Sequence, residues 1–413
     1  MTGSARSAAL TEVPRAALLG WVAAAALALS ACHQTQQGGA PAKLTAEHCD
    51  AQAVRDSDRA RVIARAEMYL EAEPRTVTAD RAVRSAGGPN DFYSEGDYWW
   101  PVPGEPDAPY QRRDGQSNPD NFVAHRLSMI RLSDIVGALA SAHRLTGDQK
   151  YADAANIHLR AWFVSPDTRM TPALLYSQAI QGRHTGRSIG LIDTLHLVEV
   201  ARGAMLLGEA GALPADDYTA VRDWFGTYAR WMNTHPYGER ERDWHNNHAL
   251  AWGLQVAAFA DLAGDAALED QVREAFKSQY IDQMDVDGGF PDELGRTKPY
   301  GYSLFVLDLL AGIAAVLSTP DDDLWRYARP DGRSLRAGLD FMAPHVADKD
   351  SWPYGRDVAY WEEWPVRHPA FLLAGPALGD CAVALLVADA PTDPDAYEVR
   401  RNFPLRHPVL WVE

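Results

Sequence analysis

Residues 247–265 read Asn-His-Ala-Leu-Ala-Trp-Gly-Leu-Gln-Val-Ala-Ala-Phe-Ala-Asp-Leu-Ala-Gly-Asp. The run is apolar at three-and-four spacing, opens on amides that suit an N-cap, and stops at Gly264-Asp265. Glycine supplies the left-handed position after a helix, and aspartate caps the next one. Residues 145–148, Leu-Thr-Gly-Asp, repeat the same joint. Such short joints fold two helices back into an antiparallel hairpin. Helical periodicity recurs near 53–72, 122–145, 149–163, 190–208, 216–234, 247–263, 267–283, 302–317, 333–346 and 369–388, while alternating strand patterns are scarce. The expected fold is all-α: an incomplete (α/α) toroid, or barrel, of antiparallel helix hairpins, in one domain over 46–413.

The beginning of the chain reads differently. Arg6 and Arg15 precede an apolar run from Ala16 to Leu29, which ends in Leu29-Ser30-Ala31-Cys32. This is the pattern of a secretory signal peptide over 1–31. Small residues before a cysteine are similar to a bacterial lipobox, and that similarity implies cleavage before Cys32 and lipidation of its thiol. Residues 32–45 then form a polar tether. The expected location is the periplasmic face, as an outer-membrane lipoprotein, with the lipid as the only membrane contact. In an oxidising compartment Cys49 and Cys381 can pair; two separate buried thiols is the other reading.

Composition bounds the partners. The 413 residues carry a formal charge of −17, and removing the signal segment makes the chain one unit more negative. A nucleic-acid partner is excluded on that balance. An anionic sugar would need a local basic cleft to offset the overall field. The 13 tryptophans concentrate partly in the connecting segments 88–121, 165–189, 285–301 and 348–368, where flat rings suit sugar faces.

Three polar constellations stand in or beside those segments. Asp243-Trp244-His245-Asn246-Asn247-His248 opens one helix. Gly288 to Ser303 holds a glycine pair, Arg296, Lys298, Tyr300 and Tyr302. Tyr176 to Ser188 sets Gln178, Arg183, His184 and Arg187 beside glycines. Capping explains one asparagine of the first run, but not two histidines and two asparagines.

Four runs resemble an alginate lyase superfamily with a toroid fold, most closely polysaccharide lyase family 38, related to family 5. They are Gly-Asp-Tyr-Trp-Trp-Pro at 96–101, Thr-Gly-Arg-Ser-Ile-Gly at 185–190, Asn-Asn-His at 246–248 and Glu-Leu-Gly-Arg-Thr-Lys-Pro-Tyr-Gly-Tyr-Ser at 293–303. The resemblance covers about residues 90–370. It implies a catalytic set of Asn247, His248, Arg296 and Tyr302, with Tyr300 as the competing tyrosine. Substrate-binding candidates are Gln178, His184, Arg187, Lys298, Tyr300, Trp99, Trp100 and Trp252.

The chemistry so implied is β-elimination on a 4-linked polyuronate, alginate and within it mannuronate, leaving a 4,5-unsaturated end. Donors and a fixed cation stabilise the dianion formed at the uronate carboxylate. Asn247 and Arg296 suit that task, and His248 can donate or act as base. A tyrosine can take the C5 proton and return one to O4. No cofactor or metal is expected; His245 and His248 with Asp243 fall short of a zinc signature. The competing functions are glucuronan cleavage by the same residues, glycoside hydrolysis by two facing carboxylates, and non-catalytic glycan binding through tryptophans.

Overall fold

The computed structural model describes residues 43–105 and 107–412. The signal peptide, Cys32 and nearly all of the tether lie outside them.

The helices, in chain order, are α1 (Ala51–Tyr69), α2 (Ala124–Thr146), α3 (Gln149–Leu159), α4 (Leu197–Glu209), α5 (Ala215–Thr234), α6 (Pro236–Arg242), α7 (Asn247–Ala263), α8 (Ala266–Ala275), α9 (Pro291–Leu294), α10 (Pro299–Leu317), α11 (Leu335–Ala347), α12 (Pro369–Leu378), α13 (Cys381–Leu385) and α14 (Tyr397–Arg401). The two Gly-Asp joints do what their sequence requires. Gly147 and Gly264 sit at φ 70° and 75°, and Asp148 and Asp265 cap α3 and α8 through their side chains.

An inner layer runs α2–α4–α7–α10–α12, each packed on the next. These helices are buried nearly all round. Helix α10 has a mean hydropathy of 1.8 and is long enough to cross a membrane, but 89% of it is inside the fold. It is a core helix. The outer helices α3, α5, α8 and α11 bury one stripe and wet the other, as helices on a globular surface do.

Residues 403–412 then cross the ring. Leu405 packs on Gly312 of α10, and the turn Pro408–Leu410 packs on α1, α2 and α4. Glu199 of α4, fully buried, accepts the backbone N–H groups of Arg406 and His407 at 2.7 Å and the Trp411 indole N–H at 3.2 Å. Cys49 and Cys381 form a disulfide with Cα atoms 5.4 Å apart, joining the start of α1 to α13.

Several elements differ from the periodicity. The 190–208 segment begins as a tight turn and becomes α4 only at Leu197. The 369–388 segment breaks at Gly379, φ 71°, after Pro376. Helix α6 was not anticipated, although Pro236 at its first position favours helix initiation. The short strands β1 (Tyr93–Glu95), β2 (Trp99–Trp100), β3 (Gln111–Arg112) and β4 (Tyr176–Ala179) are too brief for alternation to show. β1 pairs with β4 in parallel, and β2 with β3 antiparallel. They brace the long loops over one end of the ring.

Candidate active site

A cleft of about 340 Å³ opens at that end. Asn247, His248, Arg296 and Tyr302 all line it, with Trp99, Gln178 and Arg187 from the braced loops.

The start of α7 supplies two of these groups. Asn246 is the cap, its side chain accepting the His248 N–H at 3.2 Å. Capping thereby accounts for Asn246 and leaves its two neighbours free to serve the cleft. The Asn247 backbone and side-chain N–H groups both donate to Glu293 Oε1, at 2.9 and 2.8 Å. That fixes the amide while leaving its second N–H. His248 Nδ1 lies 2.5 Å from Oε1 of the buried Glu241 at the end of α6. Burial pushes the Glu241 carboxyl up, and the nearby His248 and Arg187 pull it back. Where the Glu241 carboxylate accepts from Nδ1–H, the imidazole keeps its lone pair on Nε2.

Arg296 follows the α9 turn. Its guanidinium meets Asp114 at 3.2 and 3.3 Å and lies 4.7 Å over the Tyr302 ring. Burial outweighs the pull of Arg296 and leaves the Tyr302 phenol raised to about 12. The Tyr302 hydroxyl is 2.9 Å from that of Tyr98.

The opposite wall is held by Gln178, whose φ of 45° is uncommon for a residue with a side chain. Its amide donates to Asp193 at 3.1 Å, and its two oxygens accept from Arg187 at 2.8 and 3.1 Å. Arg187 is drawn down to about 10 by burial, so it stays charged at neutral pH. Among the described residues it has no carboxylate within ion-pair distance. A half-buried guanidinium hydrogen-bonded by neutral oxygens and facing a cleft is a ready anion site. Arg183 and Arg187 also lie 5.5 and 5.8 Å over the Trp99 ring. Thus the acidic chain keeps a locally basic cleft.

Five expected contacts do not form. Tyr300 is fully buried, donates to the His345 carbonyl at 3.0 Å and packs against Trp352 and Trp361. Two residues along a helix turn a side chain roughly 200° away, so Tyr300 and Tyr302 face opposite sides. Lys298 is buried in an ion pair with Glu398 at 3.0 Å. Trp252 is a core residue, its indole N–H on the Met232 carbonyl at 3.0 Å. Trp100 turns to the Gln116 carbonyl at 2.9 Å, and His184 is exposed on its turn; neither lines the cleft.

Reasoning from sequence passed over Tyr98, Arg112, Arg401 and Asn402, which also line the cleft. Asp97 is the one acidic residue among the described lining residues. It is tied to Arg126 at 2.7 Å and Arg401 at 2.9 Å. Facing carboxylates for hydrolysis are therefore missing from the described lining.

The family model for alginate lyase matches residues 76–352, well over half of the sequence. The chain belongs to the alginate lyase family. As a member of this family it is a polysaccharide lyase. A crystal structure of an alginate lyase from Bacteroides ovatus is similar over 88% of this lyase and 97% of that chain, at 27% identity and TM-score 0.74. Two structures of alginate lyase A1-III share the fold at 16–17% identity. The apo form of a histidine-to-alanine variant covers 88% of this chain and 96% of its own, with TM-score 0.54. A tyrosine-to-phenylalanine variant complexed with tetrasaccharide covers 80% and 88%, with TM-score 0.50. No curated protein sequence matches.

Proposed function

We propose that this lyase depolymerises alginate by β-elimination, in the manner of polysaccharide lyase family 38, with mannuronate-containing chains as substrate. The observation that carries the reading is the shared cleft of Asn247, His248, Arg296 and Tyr302, with the Arg187 guanidinium beside them. The Bacteroides alginate lyase and the A1-III tetrasaccharide complex support the substrate class.

In this reading the uronate carboxylate is received by Arg187, Asn247 and Arg296. Its negative charge is thereby offset, and the C5 proton becomes acidic enough to remove. In mannuronate the C5 proton and O4 lie on one face of the ring. Tyr302, as phenolate, takes the proton from C5; the C4=C5 double bond forms as the C4–O4 bond breaks. The same tyrosine then gives that proton to O4. In guluronate the two sites lie on opposite faces. There the free Nε2 of His248 accepts the proton and Tyr302 supplies one to O4. Trp99 offers a ring face to the adjoining sugar.

The test is direct. Purified protein is incubated with polymannuronate, polyguluronate and glucuronan, and the ultraviolet absorbance of unsaturated uronate is followed. Fastest rise with polymannuronate is expected. Reducing ends released without that absorbance would replace elimination with hydrolysis.

We also infer export through the 1–31 signal and anchoring through lipidated Cys32. Cys32→Ala is expected to move the protein from the membrane to the soluble fraction; unchanged fractionation would refute the anchor.

A further inference from the structure

Behind Tyr302 stands a second phenol. The Tyr98 hydroxyl, 2.9 Å from that of Tyr302, is also 3.2 Å from Oε1 of Glu398. Glu398 lies on α14, beyond the stretch the family model matches, and is 2% exposed. Lys298 donates to the same oxygen at 3.0 Å; Ser117 and Arg401 approach the other at 3.4 and 3.5 Å. Burial alone would raise the Glu398 carboxyl, but Arg401 and Lys298 hold it below the usual glutamate range. It is an ionised acceptor at neutral pH.

A carboxylate only accepts, so the Tyr98 proton is directed at Glu398. The Tyr98 oxygen is then left to accept from Tyr302. Once Tyr302 has lost its proton this order must reverse. Tyr98 is the hydroxyl within reach of the phenolate oxygen, and rotation about its C–O bond carries its hydrogen from Glu398 to Tyr302. Glu398 keeps Lys298, Ser117 and Arg401, so it is not stranded. Resting on the reading of Tyr302 as base and acid, we propose that Tyr98 is a positioning residue whose hydroxyl switches from Glu398 to Tyr302 and stabilises the phenolate. The Tyr302 proton itself leaves through the cleft to solvent.

Other charges act on this pair and stay in place when only the Tyr98 hydroxyl is removed. Arg296, with Asp114 behind it, lies over the Tyr302 ring, and Lys298 is 5.4 Å over the Tyr98 ring. Arg401 and Asp97 border the same cleft, and His248, backed by Glu241, stands on α7.

The experiment is the pH dependence of kcat and KM on polymannuronate for wild type, Tyr98→Phe and Tyr302→Phe. Losing a donor to a phenolate raises the phenol's pKa. The rising limb of kcat in Tyr98→Phe is therefore expected about one pH unit higher, with kcat about tenfold lower at neutral pH and KM within about twofold. The tyrosinate difference spectrum of wild type against Tyr302→Phe should show a titration that moves by the same amount in the Tyr98→Phe background. Fluorinated tyrosine at position 98, nearly isosteric and a stronger donor, should move the limb the other way. A uniform loss across pH, or a limb unmoved in the fluorinated protein, overturns the proposal. Turnover surviving in Tyr302→Phe would instead remove Tyr302 from the chemistry. A dead Tyr302→Phe beside an unmoved limb in Tyr98→Phe would remove Tyr98 alone.

Discussion

Tyr300 and Tyr302 are two residues apart, yet one is walled in by tryptophans and the other opens on the cleft. The expected outcome of Tyr302→Phe is a fall in kcat of about 10²–10⁴-fold with little change in KM, as for loss of a general acid–base group. Tyr300→Phe should leave kcat near wild type and lower stability by about 1 kcal/mol, the worth of one hydrogen bond. Both are read from unsaturated-uronate absorbance and thermal melting. Arg187→Ala addresses binding instead: KM for polyuronate should rise on the order of tenfold or more, since a charge-assisted contact is lost. Unchanged KM would assign the carboxylate elsewhere. Asn247, His248 and Arg296 were legible as candidates because each sits at a helix start or in a glycine-rich loop that the sequence marks. Which tyrosine faces the cleft was not legible, since burial on an all-apolar helix such as α10 leaves no stripe to read. Glu241 escaped for another reason: its hydrogen bond to His248 joins two helices across a turn that sequence does not orient. Trp252 is the converse, a ring on an apolar helix that belongs to the core.

At the scale of elements, the Gly-Asp joints decided the architecture. Gly147 has φ 70° and open space where a Cβ would go, so alanine there meets backbone strain alone. Gly147→Ala should lower stability by about 1 kcal/mol, and Gly147→Asn by less, because asparagine tolerates the left-handed region. Denaturant midpoints measure the difference; equal midpoints would mean the joint tolerates either. Hairpins were readable because capping chemistry is local. The braced loops were not. Strands of two to four residues such as Trp99–Trp100 pair with partners up to dozens of residues away, and nothing local selects the partner.

For the molecule as a whole, closure is supplied by its two ends. The Cys49–Cys381 bond spans 332 residues of sequence. Removing so long a constraint on the unfolded chain should cost about 2–5 kcal/mol. A lower melting temperature in reductant, absent in the Cys49→Ala variant, checks it. The crossing of the ring by residues 403–412 was invisible beforehand, because its partners lie on helices from every part of the chain. Yet it ties the C-terminal stretch to the cleft. A premature stop upstream of residue 397 would remove Glu398 from behind Tyr98, Arg401 from beside Asp97 and the backbone donors that Glu199 accepts, all in one truncation.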